Sequence, residues 1–340
     1  MRRSLTLLEL LIVVFILAAL AASAVSLTGE ADGQARQTLT TSRRQQVREA
    51  IVGPARQVDQ RPVLTGFVAD MGRLPRNVQE LLAPPAEGTH LFAHNATYAA
   101  SAGWRGPYLR GTWEANAATS SPAFRDGWST VSQTDDATNY GWQVVLDVSD
   151  GTYFDLISYG RDGVAGGVGL DTDQPAYPAP LPSPAPRLVT PSDWSVDLAA
   201  APERVELEIF NDTGAPLDPL SVRLRVVIPS FEPGSPADWS VGGLAAWSLE
   251  KTTRADISDV GSGAATIAVG GSARVSFDFS NALPRIPQGR WALAVIRDSD
   301  GVPLGPVDEG HAPILLPVTV LPRSAWIKPA ACTFARVRTP

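Results

Sequence analysis

From Leu10 to Gly29 the chain runs twenty residues without a charged side chain, behind Arg2, Arg3 and a single carboxylate, Glu9. No other stretch limits the possible folds as much. A helix rises about 1.5 Å per residue, so this run would be ~30 Å long, the depth of a bilayer's hydrocarbon core. The arginine pair would stay cytoplasmic, which predicts a single-pass transmembrane helix with the remainder of the chain across the membrane. The small residues from Ala19 to Ala24 also suit a cleavable secretory signal. Glu9 argues against that alternative, because a carboxylate at the edge of an apolar run costs ~2.5–3.5 kcal/mol on insertion scales and calls for a partner.

The segment Ser4-Leu5-Thr6-Leu7-Leu8-Glu9-Leu10-Leu11-Ile12-Val13-Val14 resembles the class III signal of type IV pilins and type II secretion pseudopilins. The resemblance implies that a prepilin peptidase cuts between Ser4 and Leu5, that the new amino terminus at Leu5 is methylated, that Glu9 becomes the fifth mature residue, and that the chain sits in the cell inner membrane with its globular part periplasmic. The α-amine of Leu5 would then be a cation at the end of an apolar helix. In a bundle of staggered copies, Glu9 of a neighbour can lie beside that amine, each charge offsetting the burial of the other, so the stagger becomes the filament register.

Past Gly29 the chain turns polar, with no turn signal before Gly53-Pro54. Ala31, Ala35, Leu39, Val47 and Ile51 recur at multiples of four, an apolar stripe that predicts one helix over residues 5–53, ~70 Å long and ended by Pro54. Its outer half requires a cover, which a small antiparallel sheet would provide. Between residues 54 and 174, Gly66–Pro75 reads as a turn and Asn77–Leu82 as a short helix stopped by Pro84-Pro85. Gly103–Leu109 and Phe124–Trp128 read as aromatic turns packing as core, and Gly141–Val148 and Thr152–Ser158 as a hairpin about Ser149-Asp150-Gly151.

The loop from Asp162 to Asp173 sets three carboxylates, Asp162, Asp171 and Asp173, around four glycines. Calcium takes about six to eight oxygens, and a glycine-rich loop can turn its carbonyls inward, so the loop is either a calcium site or a solvated surface loop. His90 and His94, four apart, could chelate a metal on a helix, but their surroundings read as a loop with no third ligand. The order of leader helix, Trp104-Arg105-Gly106-Pro107-Tyr108-Leu109, Asp126 with Trp128, hairpin and Ser158–Gly163 is similar to the major pseudopilin of type II secretion. That similarity spans residues 1 to about 175 and implies a structural calcium ion held by Asp162, Asp171 and Asp173.

Pro175 to Pro191 alternates proline with small residues and predicts a stiff linker. Beyond it the pattern is all β. Val205–Phe210, Ser221–Ile228, Ala265–Val269, Ala273–Phe279, Trp291–Arg297 and Ile314–Leu321 read as strands of an immunoglobulin-like sandwich. The expected architecture is therefore α+β, a long amino-terminal helix on a small antiparallel sheet followed by the sandwich. The expected divisions are a leader at 1–4, the helix at 5–53, a globular domain at 54–174, the linker at 175–191, the sandwich at 192–325 and a tail at 326–340. Trp239, Trp247 and Trp291 would be core or, less simply, a sugar-stacking surface.

Composition narrows the function classes. The single cysteine, Cys332, makes no internal disulfide but leaves a free thiol or an intermolecular link, and three histidines give little material for catalysis. Lys251 and Lys328 are the only lysines, net charge is −7, and no basic run invites nucleic acid. The chain is expected to be no enzyme. The resemblance implies a structural subunit of a type II secretion filament, associating with itself and with other pseudopilins, with the prepilin peptidase and with an inner-membrane assembly platform. A type IV pilus minor subunit or tip adhesin, with the sandwich as binding module, is the alternative. An anchored hydrolase would need a nucleophile–base or paired-carboxylate constellation, and none is evident.

Overall fold

The computed structural model describes residues 7–54, 57–58, 61–62, 64–84, 91–95, 100–115, 120–129, 136–146, 153–175, 187–197, 204–212, 214–218, 222–227, 252–257, 266–278, 285–297, 316–321, 326–327 and 334–337. Helix α1 (Leu7–Val52) is followed by strands β1 (Gln57–Val58) and β2 (Arg61–Pro62) and the short helices α2 (Phe67–Met71) and α3 (Gln79–Leu82). Next come β3 (Ala93–Asn95), β4 (Ala100–Ala102), β5 (Thr112–Ala115), β6 (Ser120–Ala123), α4 (Asp136–Asn139), β7 (Gln143–Leu146) and β8 (Phe154–Ile157). The remainder is α5 (Pro191–Trp194), β9 (Ser195–Asp197), β10 (Arg204–Asn211), β11 (Val222–Val227), β12 (Thr252–Ile257), β13 (Ser272–Asp278), β14 (Arg285–Pro287), β15 (Gly289–Arg297), β16 (Leu316–Val320), β17 (Trp326–Ile327) and β18 (Phe334–Val337). Helices and small antiparallel sheets together make this an α+β chain.

α1 is unbroken over 46 residues. It stops where Gly53 adopts φ 82° and donates its amide to the Glu49 carbonyl at 2.9 Å, with Pro54 next, which has no amide to continue the ladder. The expected transmembrane span is corrected: among the described residues no helix is long and apolar enough to cross a membrane. The inner-membrane placement built on that span falls with it.

The chain divides into two compact units. One takes in Met1–Gln45, Arg125–Gln143 and Leu156–Pro186. Here α1 buries Gly33 and Thr40, with Gln37 and Arg44 half-buried between and beyond them on the same face. Ala31, Ala35 and Leu39 of the expected stripe are exposed instead. The reason is what covers the helix: the backbone of a turn over Thr40 and Arg43, and the one side chain of Leu170 over Gly33. Gly127 donates its amide to Thr40 Oγ1 at 2.9 Å, Thr40 donates to the Arg36 carbonyl at 2.9 Å, and Arg43 reaches the carbonyls of Arg125 (2.6 Å) and Asp126 (3.0 Å). A helix face that meets backbone needs small residues and hydrogen-bonding groups, not leucine.

The other unit comprises Gln46–Phe124, Val144–Asp155 and Arg187–Pro340. Gly66–Pro75 folds as α2 rather than as a turn, because Phe67, Val68 and Met71 all find burial there and Gly72 closes the helix in the left-handed region at φ 68°. Tyr108 packs edge-on against both Phe67 and Trp104, with centroids 5.6 and 5.9 Å apart. Strand β15 lies against β4 and α2. The end of α1 is tied down here: buried Gln288 donates through Nε2 to the Val52 carbonyl at 3.0 Å, and Arg48 pairs with Asp193.

Eight strands join in the order β17-β16-β15-β11-β12-β13-β10-β18, antiparallel except for the parallel pair β10–β18. β12 is shared lengthwise. Its residues 252–254 pair with β11 and its residues 255–257 with β13. Along β10 the period of two is plain: Leu207 and Ile209 are buried while Glu208 and Phe210 between and after them are not. Val222, Val275, Trp291 and Val320 are buried from neighbouring strands. The expected strand at Ala265–Val269 is instead a single bridge, Ile267 to Leu217.

Candidate functional site

The first site residues expected from sequence stand at the start of α1. Ser4 and Leu5 lie outside the described residues; Glu9 is on α1, with its side chain outside them. Around it, Leu7, Leu8, the run from Leu10 to Leu17 and Leu20 are between 47% and 84% exposed, although nearly all are large and apolar. This half of α1 meets nothing that the described chain offers.

The second expected site is the carboxylate loop, in the same unit as residues 7–45. Asp171 is gripped by Arg161, Nε to Oδ1 at 2.8 Å and Nη2 to Oδ2 at 3.0 Å, a two-pronged pair that pushes the guanidinium pKa up. Asp173 takes the Gly166 amide on both oxygens at 3.0 Å, and Asp162 Oδ1 takes the Val164 amide at 3.1 Å. Burial and the nearby charge of Asp173 raise the Tyr159 hydroxyl. The loop folds tightly on itself: a Cβ at Gly167, where φ is 84°, would stand 2.3 Å from the Asp171 carbonyl oxygen. It also docks on α1. Leu170 fills the notch left by Gly33, where a Cβ would be 2.3 Å from Leu170 Cδ1, and Gln37 donates to the Gly169 carbonyl at 3.4 Å.

The three carboxylates are engaged separately in this arrangement. Calcium is held by about six to eight oxygens turned toward one point. Here both Asp171 oxygens face a guanidinium, both Asp173 oxygens face an amide, and no three acidic, histidine or cysteine side chains among the described residues converge on a metal position. Beside the loop, a cavity of about 240 Å³ is lined by Asp32, Arg36, Trp128, Arg161 and Leu170. Its charges are balanced internally, Arg36 by Asp32 at 2.8 Å and Arg161 by Asp171.

Two clusters went unnoticed in the sequence. Asp126 is wholly buried, accepts the amides of Trp128 (3.1 Å) and Ser129 (2.7 Å) on Oδ1, and takes the Ser158 hydroxyl on Oδ2. It pins the turn that covers α1. In the other unit, Asp70 is 4% exposed and is met by Arg105 (Nη2 to Oδ1 at 2.8 Å, Nε to Oδ2 at 3.2 Å) and by the Tyr108 hydroxyl at 2.9 Å. Burial outweighs these partners and raises the Asp70 pKa; burial and the Asp70 charge raise Tyr108 above its usual range. The signal was the recurrence of Asp, Arg and Tyr in turns read only as aromatic packing.

Of the remaining candidates, Trp291 is core, 2% exposed with Nε1 donating to the Pro287 carbonyl at 2.8 Å. His94 sits on β3 opposite Ser101, while His90, Trp239, Trp247, His311 and Cys332 lie outside the described residues. Comparisons with protein-family models, curated proteins and solved structures return no match for this chain.

Proposed function

We propose that the chain is a pseudopilin-like structural subunit of a type II secretion filament, processed by a prepilin peptidase between Ser4 and Leu5 and assembled through α1 to drive protein export. The observation that carries this reading is the contrast along one unbroken helix. Its second half is locked to folded chain through Gly33, Thr40, Arg43, Val47 and Ile51, whereas its first half exposes a continuous apolar surface. Apolar patches of that extent on a folded chain mark an interaction surface. Copies of the same helix suit it, because a shared axis buries every apolar residue at once and brings each Glu9 to the amine of a neighbouring Leu5. The carboxy-terminal strands form a sandwich displayed outside the bundle. The offset pairing of β12, half with β11 and half with β13, supports this, since strands that change partners midway are how two packed layers are joined.

Mass spectrometry of the mature amino terminus is the direct test of processing. A chain beginning at methylated Leu5 is expected, and one beginning after Ala22 or Ala24 would overturn the assignment. In an assembly assay, Glu9→Val should abolish filaments while leaving the melting of the folded units unchanged.

A further inference from the structure

A second cavity, of about 130 Å³, lies within the unit that contains α2, with Asp70, Phe92, Ser101, Arg105 and Arg290 on its wall. Its charges do not cancel. Arg105 is spoken for by Asp70 on two of its nitrogens and is set 5.1 Å over the Phe92 ring, yet half of its side chain stays exposed. Arg290, exposed on β15, makes no hydrogen bond or ion pair through its side chain with any described residue. Two guanidinium groups and one buried carboxylate leave one positive charge facing a space of roughly four water volumes. That is too small for a drug-sized ligand, whose pockets run to about 300–1,000 Å³.

We propose that this cavity is a binding site for a carboxylate group, gripped by Arg290 and the open edge of Arg105. A guanidinium fork matches a planar carboxylate through two parallel hydrogen bonds, and a monoanion matches the single uncompensated charge, whereas a dianion would also meet Asp70. Asp70 and Tyr108 are positioning residues: they hold Arg105 from behind so that its remaining N–H groups face the cavity. The carboxylate is either that of a small free acid or that of an acidic side chain carried by another polypeptide. This goes beyond the filament reading and does not depend on it.

The test is a titration of the full chain with sodium acetate against sodium chloride at constant ionic strength, following the Nε–H resonances of Arg105 and Arg290. A saturable shift specific to acetate is expected, with affinity reduced tenfold or more in Arg290→Gln and partly restored in Arg290→Lys. The same unsaturating response to both salts, or undiminished acetate binding in a folded Arg290→Gln, would overturn the site. A blocked peptide with one glutamate separates the sources, since competition with acetate identifies a side-chain ligand and its absence identifies a small free acid.

Discussion

Asp70 carries a charge that its surroundings resist. Burial raises its pKa above the ordinary 3.8 even though Arg105 and Tyr108 pull the other way. Between 3.8 and the raised value, the folded chain holds a proton that the unfolded chain has released, so stability falls as pH rises through that window and is level above it. Asp70→Asn has no such proton to hold. The stability of the wild type relative to Asp70→Asn, measured by urea denaturation, should therefore grow as pH falls from 7 toward 4. A plain surface ion pair would show the opposite trend, and a shrinking difference would mean that the Arg105 pairing dominates over burial.

At the scale of elements, the face that α1 buries follows the backbone that lies on it. A Cβ at Gly127 would come 2.1 Å from the Arg36 carbonyl oxygen, backbone that cannot move without bending the helix. Gly127→Ala should cost about 1–3 kcal/mol, as overpacking does, read by denaturant unfolding. Gly33→Ala meets only the end of the Leu170 side chain and gains about 1 kcal/mol of helix propensity, so it should be near neutral. In the carboxylate loop, Arg161 holds both oxygens of Asp171. Calcium and chelator should leave the melting temperature of the wild type unchanged, while Arg161→Gln should free Asp171 and make melting respond to calcium. A saturating rise in the wild type would show that Asp171 exchanges Arg161 for the ion.

For the whole molecule, the consequential fact is that one helix serves two surroundings. Val13 is 51% exposed on the apolar half, away from the buried positions of α1 at Gly33, Thr40, Val47 and Ile51. Val13→Asp should prevent assembly, followed by sedimentation, with little change in thermal unfolding; retained polymers would mean that the apolar half is not the assembly surface. The aspartate would put a charge between packed helices, where an unpaired buried charge costs several kcal/mol.

The amino-acid sequence by itself determined the long helix and its end, because apolar content, the lack of breakers and Gly53-Pro54 are local properties. It likewise determined most of the carboxy-terminal strands, since alternation such as that of Leu207, Glu208 and Ile209 depends only on neighbouring residues. Other features needed the folded chain. Nothing local marks Thr40 or Gly33 as the buried face of α1; they are buried because a turn and a loop more than eighty residues away bring the Gly127 backbone to the one and the Leu170 side chain to the other. The three loop aspartates read as a common ligand set, yet each meets its own donor once Arg161 and the Gly166 and Val164 amides are in place. Asp70, Arg105 and Arg290 are separated by up to 220 positions, and only tertiary contact between β15 and the α2–β4 region makes them one site.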